Sequence, residues 1–273
     1  MIKFQKIIKY FAIAFAISLI ISIFMLITQA IVLFSSITNN NSNQIEINED
    51  LKTVKINTQI SKMEIDVTGS KVVFIEEGSK VTVQTDNEYI KVKERNNQLI
   101  ITEEKHNIFN INNNSELIIY IPKNTTFEDI SIDSAAGGIN IDYLKTKELE
   151  LSLGAGEVNI NNLTVLTEAN IDGGAGEVNI QNSQINNLDL DMGIGKVTIN
   201  GTITGINDIN AGVGELNINL SNSLDNYKIK LNKGIGSALL NKEKMKNDIY
   251  YGEGNNLINI DGGIGNINVN YSR

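Results

Sequence analysis

The sequence predicts an all-β domain, a β-solenoid-like stack of repeats of about 20 residues, preceded by one N-terminal transmembrane helix. Three observations predict it. A short glycine phrase recurs seven times between Ala135 and Val269, as in Leu153-Gly-Ala-Gly-Glu-Val-Asn-Ile160 and Met192-Gly-Ile-Gly-Lys-Val-Thr-Ile199. From Ile45 onward the chain alternates apolar and polar residues with period two, as in Val54-Lys-Ile-Asn-Thr58 and Met63-Glu-Ile-Asp-Val67. Residues 11–34 form an uncharged run, broken only by Ser18, Ser22, Thr28 and Gln29.

That run comes second in chain order. Its 24 residues, coiled as a helix, span about 36 Å against a hydrocarbon core of roughly 30 Å. Residues 1–10 carry Lys3, Lys6 and Lys9, whereas the stretch just after the run holds acids and no Lys or Arg. The positive-inside rule therefore places residues 1–10 as a cytoplasmic stub and everything after residue 34 outside the membrane. A cleaved signal peptide is the rival reading. Its apolar region is normally 7–15 residues and ends in a small-x-small site, so the longer run here is read as an uncleaved single-pass anchor. Ala14, Ser18 and Ser22 make a small-residue ladder through which two such helices can approach, a homo-oligomer by way of the membrane segment. Residues 35–44 are a polar linker.

Residues 45–134 read as an N-terminal part built of short strands, and residues 135–273 as the glycine-cornered repeats. The second glycine of each phrase falls at Gly137, Gly156, Gly176, Gly195, Gly214, Gly236 and Gly265, giving steps of 19, 20, 19, 19, 22 and 29. Apolar residues precede the glycines (Leu149 and Leu151, Leu188 and Leu190, Ile258 and Ile260) and follow them (Val158 and Ile160, Val178 and Ile180). Alternation sends all of these to one side, and no single repeat can bury that side alone, so stacking must supply the core. The glycines then serve one corner of each coil, where positive φ or a close backbone approach excludes a Cβ. The stretch Lys242-Glu-Lys-Met-Lys-Asn247, where the spacing lengthens, reads as a loop inserted between rungs.

The run Glu116-Leu-Ile-Ile-Tyr-Ile-Pro-Lys-Asn-Thr-Thr-Phe-Glu-Asp-Ile-Ser-Ile132, followed by Gly137-Gly-Ile-Asn-Ile141 and the Gly-x-Gly-x-Val-Asn-Ile units, resembles the DUF4097 family of candidate adhesins, or toastrack domains. The strand ending at Pro122 and the repeated rungs after it carry the likeness, which extends over about residues 52–269. The resemblance implies an all-β repeat domain, often on membrane-anchored bacterial proteins, with links to surface adhesion and to envelope-stress systems. It brings no catalytic residues with it.

Composition narrows the chemistry. Net charge is -9 over 273 residues, with no Cys, one His and one Pro. So acidic a chain lacks the basic stripe that nucleic acid requires, and it has neither disulfides nor thiolate metal sites. Gly173-Gly-Ala-Gly-Glu177 is similar to the calcium-binding nonapeptide, but that motif repeats every nine residues and needs an Asp where Val158, Val178, Val197 and Leu216 stand. Glu157, Glu177, Lys196 and Glu215 should form one ladder, in which Lys196 relieves repulsion between neighbours. The column Asn140, Asn159, Asn179, Thr198, Asn217 and Asn268, interrupted by Leu239, should form another, either bonding rung to rung or serving as the polar outer face. Asp189 and Asp191 share one strand face and could bind a metal, though paired acids on an exposed face usually serve solubility alone. His106 and the only arginines, Arg95 and Arg273, offer no nucleophile–base pair, so no catalytic, cofactor or metal residue is assigned.

The expected function is a non-catalytic, membrane-anchored extracytoplasmic scaffold that binds an envelope protein or surface glycan in the manner of an adhesin. An accessory regulator of an envelope-stress response, acting through a membrane partner, is the alternative. A β-helix polysaccharide lyase, which needs acids and a basic residue gathered together, is the third.

Overall fold

The structure, a computed structural model, describes residues 51–104 and 115–272. The expected stub, membrane segment and linker, with His106 and Arg273, lie outside the described residues. No helix among the described residues is long and apolar enough to cross a membrane. Apart from one 3-10 turn at Leu224–Asn226, regular structure there is all strand.

The repeats are long strands, each making one coil of the stack: β8 (Phe127–Ile141), β9 (Leu144–Asn161), β10 (Leu163–Asn186), β11 (Leu188–Thr204), β12 (Ile206–Leu220), β13 (Tyr227–Leu240) and β16 (Asn256–Tyr271). Neighbours pair in parallel and in register, so Gly137, Gly156, Gly176, Gly195, Gly214, Gly265 and Gly236 stand one above another. The expected stack of glycine-cornered rungs is therefore present. Each coil bends at the glycines, where φ runs from 137° at Gly236 to 147° at Gly156. It bends again at residues held near φ 50°, among them Asn162, Asn182 and Asn187. Asparagine tolerates this left-handed region, and at these bends its amide also ties rungs together: the Asn187 Nδ2 donates to the Thr167 carbonyl at 2.9 Å.

Inward side chains form continuous apolar columns. Leu151, Ile171, Leu190, Ile209, Ile260 and Leu231 make one, and Ile160, Ile180, Ile199, Ile218, Val269 and Leu240 another, nearly all with 1 % exposure or less. Each rung thus buries its alternating face against the rungs above and below. Polar residues interrupt the columns at a few places, among them Thr146 between Phe127 and Val165 and Ser134 beside Leu153. Asn207 is fully buried between Leu188 and Ile258, its Oδ1 accepting from the Leu188 amide at 2.8 Å and its Nδ2 donating to the Leu257 carbonyl at 2.9 Å.

The N-terminal strands continue the same stack. In β2 (Lys62–Val67) and β3 (Lys71–Glu76), Met63 stands beside Ile130 and Phe74 beside Ile141, so the two strands reproduce one rung around a Thr68-Gly69-Ser70 corner. The strands β6 (Gln98–Glu103) and β7 (Glu116–Ile121) add a further rung, in parallel with β2 and β3. Three antiparallel strands, β5 (Ile90–Arg95) on β6, and β4 (Thr82–Thr85) with β1 (Lys52–Lys55) on β7, finish that end.

The opposite end corrects the sequence reading. The last repeat, β16, does not follow β13 but lies between β12 and β13. The stretch expected as a loop between rungs instead covers the outer edge of β13, with β14 (Glu243–Lys244) and β15 (Tyr250–Tyr251) pairing antiparallel to it. The long final step is the length of chain needed to pass around this edge and return to the slot beside β12. Met245 is buried in the stack's end, and the Asn247 side chain bonds both the amide and the carbonyl of Lys233, as a strand neighbour would. Leu239, out of place in an asparagine column, sits opposite Lys244 of this cap. An edge covered in this way cannot recruit another chain along its full length.

Candidate functional site

Parallel register turns every outward position into a column of like residues about 4.8 Å apart. The columns that precede the glycine corner are acidic. One reads Glu64, Ser131, Glu150, Asn170, Asp189, Asp208, Asn259 and Lys230, and the next Asp66, Asp133, Ser152, Asp172, Asp191, Asn210, Asp261 and Asn232. Burial comes first in pushing the Asp189 carboxyl up, followed by the charges of Asp191, Asp208, Asp172 and Glu168. The Asn210 amide donates to Asp191 at 2.6 Å and the Asn259 amide to Asp208 at 2.8 Å. Among the described residues no three acids, histidines or cysteines are grouped to hold a metal ion. Arg95 lies in the edge strand β5, with β6, β2, β8, β9 and β10 between it and Asp189 in β11, so this arginine is not brought to the Asp189–Asp191 pair. Val158, Val178, Val197 and Leu216, which occupy the calcium motif's aspartate position, all point into the core.

The columns that follow the corner are those expected from the sequence. Glu157, Glu177, Lys196 and Glu215 are in register, and the Lys196 ammonium stands 3.3 Å from Glu177 on an exposed edge. Asn159, Asn179, Thr198, Asn217 and Asn268 line up beside them, and the Asn268 amide donates to Asn217 at 2.9 Å. A second amide column went unread in the sequence: Asn200 donates to Gln181, Asn219 to Asn200, and Asn270 to Asn219 at 2.8 Å. Its signal was the polar residue two places beyond each asparagine of the first column. Each amide carries two N–H groups and two lone pairs, and a ladder bond to each neighbour occupies one of each. Some of the rest bond sideways within the face, Asn159 to Glu157 at 2.7 Å and Gln181 to Asn179 at 2.5 Å, and the amide side chains stay partly exposed.

Two further features also escaped the sequence reading. The residue between the two glycines of each corner is apolar in every copy, and Ile194, Val213, Ile264 and Ile235 are 43, 44, 53 and 72 % exposed. In the rung formed by β2 and β3, which lacks the glycine phrase, Glu103 braces the corner. Its Oε2 accepts from the amides of Thr68 at 2.8 Å, Gly69 at 3.1 Å and Ser70 at 3.4 Å, and its Oε1 from the Asn87 side chain at 2.9 Å. Burial would raise this carboxyl, but the amides of Gly69 and Thr68, with Asn87 and Ser70, together hold it below the usual glutamate range. Asn87 in turn donates to the buried Ser70 hydroxyl at 2.9 Å.

The family model described as Toastrack DUF4097 matches residues 60–259. Two crystal structures are similar to the chain. A candidate cell adhesion protein from Clostridium sporogenes is 22 % identical, with 81 % of this chain and 99 % of that one covered and a TM-score of 0.38. A candidate adhesin from Bacteroides fragilis is 13 % identical, with 81 % and 98 % covered and a TM-score of 0.32. No curated protein matches the sequence.

Proposed function

The chain belongs to the Toastrack DUF4097 family, and on that premise we propose that it is a non-catalytic scaffold held outside the cell by residues 11–34, with residues 1–10 in the cytoplasm. Its outer stack binds an envelope or surface component in the manner of an adhesin. The observation that carries this reading is the register of the amide columns, Asn159–Asn179–Asn217–Asn268 and Gln181–Asn200–Asn219–Asn270. Two parallel rows of partly exposed amides suit an extended, hydroxyl- or amide-bearing polymer, which can repeat one weak contact along several rungs. Such avidity needs no deep cleft.

The test reconstitutes the full chain in liposomes and measures retention of solubilised cell-wall glycan. Retention that falls at least tenfold when Asn200 and Asn219 are both changed to Ala supports the reading. Equal retention by empty liposomes, or by the double variant, contradicts it.

A further inference from the structure

The corner residues form a wedge. Reading along the stack, the position between the two corner residues is filled by Gly69, Ala136, Ala155, Ala175, Ile194, Val213, Ile264 and Ile235. Four positions carry a methyl group or nothing, and the next four carry a large β-branched side chain. The fold does not require this choice. Alanine and isoleucine occupy the same backbone position in adjacent rungs, and the side chain points away from the core. Columns on both sides of the corner are rich in polar and charged residues, yet this exposed column holds none. Four aligned β-branched side chains without cover make a continuous apolar ridge, a feature that marks a contact surface.

We infer that the ridge docks on a second copy of this chain, antiparallel and related by a two-fold axis between the Ala175 and Ile194 rungs. An isologous contact needs a surface complementary to itself, and the wedge is one. Inverting it sets Ile194 over the partner's Ala175, Val213 over the partner's Ala155, Ile264 over the partner's Ala136 and Ile235 over the partner's Gly69. Every large side chain meets a small one. The same operation brings Lys196 beside the partner's Glu177 on each side of the axis, so the central charges are complementary. Glu215 meets the partner's Glu157, and the acidic columns of both copies draw nearer, so salt should strengthen the pair.

The ridge spans seven intervals, about 34 Å at the sheet spacing, and a strip roughly 12 Å wide buries about 400 Å² per copy. That is half of a standard interface, which makes the pair reversible and dependent on concentration.

The chain has no native cysteine, which permits a direct test on the full-length protein in detergent. Two differently tagged copies, one Ala155→Cys and one Val213→Cys, are mixed and oxidised. A disulfide needs Cα atoms within about 7 Å. The mixture should yield the heterodimer, and neither variant alone should cross-link, because like positions lie three rungs, about 14 Å, apart. Adding Ile194→Thr and Ile264→Thr to both copies should lower the cross-linked fraction at least fivefold, while circular dichroism stays unchanged. Self-linking of Val213→Cys would mean a parallel pair and overturn the inference. So would absence of the heterodimer in folded protein, or a yield unmoved by the threonine changes. Binding of the ridge to neutral lipid vesicles in place of a second copy, lost on the same threonine changes, would also overturn it.

Discussion

Substituting Gly195 by alanine should be among the most damaging single-atom additions in the molecule. Its φ is +146°, a region open essentially to glycine alone, and forcing another residue there costs about 1–3 kcal/mol. The new Cβ would also stand 1.8 Å from the Gly176 carbonyl oxygen and 2.9 Å from its carbon. That is roughly 1.5 Å inside ordinary contact, and the obstacle is backbone of the neighbouring rung, which cannot rotate away. Parting the rungs there breaks about two ladder hydrogen bonds, worth on the order of 2 kcal/mol together. The sum, about 3–5 kcal/mol, is a large share of the roughly 5–15 kcal/mol by which a domain is normally stable. Two controls separate the causes. Gly78 has φ +84° with its nearest obstacle 4.0 Å away, so Gly78→Ala should show the conformational cost alone, roughly 1 kcal/mol. Ala175→Ile copies the next rung and should change stability by no more than about 0.5 kcal/mol. Thermal melting by circular dichroism gives the ranking, and amide hydrogen exchange shows whether loss begins at the Gly176–Gly195 rungs, since repeat arrays can open locally. If Gly195→Ala melts with Gly78→Ala, close rung approach is not what selects glycine.

Three other predictions follow from single residues. Because the folded Glu103 carboxyl lies below its unfolded value, its stabilisation is present above the unfolded pKa and is lost as pH falls through the folded one. Glu103→Gln should therefore cost about 1–2 kcal/mol at neutral pH, allowing for partial exposure, and should flatten the acid side of a stability–pH curve measured by denaturant unfolding. Asp189 has the opposite sign: its folded pKa is raised, so its ionised form opposes folding, and Asp189→Asn should raise the neutral-pH melting temperature by an increment that shrinks in acid and in high salt. Asn207→Leu matches the apolar column in size but strands the buried Leu188 amide and Leu257 carbonyl, so it should cost about 2–4 kcal/mol in the same unfolding assay.

The sequence was most informative where a rule repeats. Glycine spacing and period-two alternation identified the rungs, their corner, the inward columns and the ladders at Glu157–Glu215 and Asn159–Asn268, because a parallel register maps equal offsets onto neighbouring positions. It was silent where neighbours in space are not neighbours in the chain. Nothing local to β13 or β16 says that the last repeat is inserted before the sixth, although Leu239 in an asparagine column and the long final step were its traces. The Glu103 brace joins residues more than 30 positions apart and follows no period. The ridge residues lie inside the glycine phrases at Ile194, Val213, Ile235 and Ile264, but period-two alternation assigns no side to a position at a corner. Their exposure follows from the bend at the corner, which turns those side chains outward.

The central claim, a β-stack mounted outside the cell by residues 11–34, is tested most directly by labelling single cysteines in intact cells with a membrane-impermeant maleimide. Glu215→Cys, in an exposed corner column, should label at once, while Gln5→Cys should label only after the membrane is permeabilised. Labelling of Gln5→Cys in intact cells, or protection of Glu215→Cys until lysis, would contradict the account.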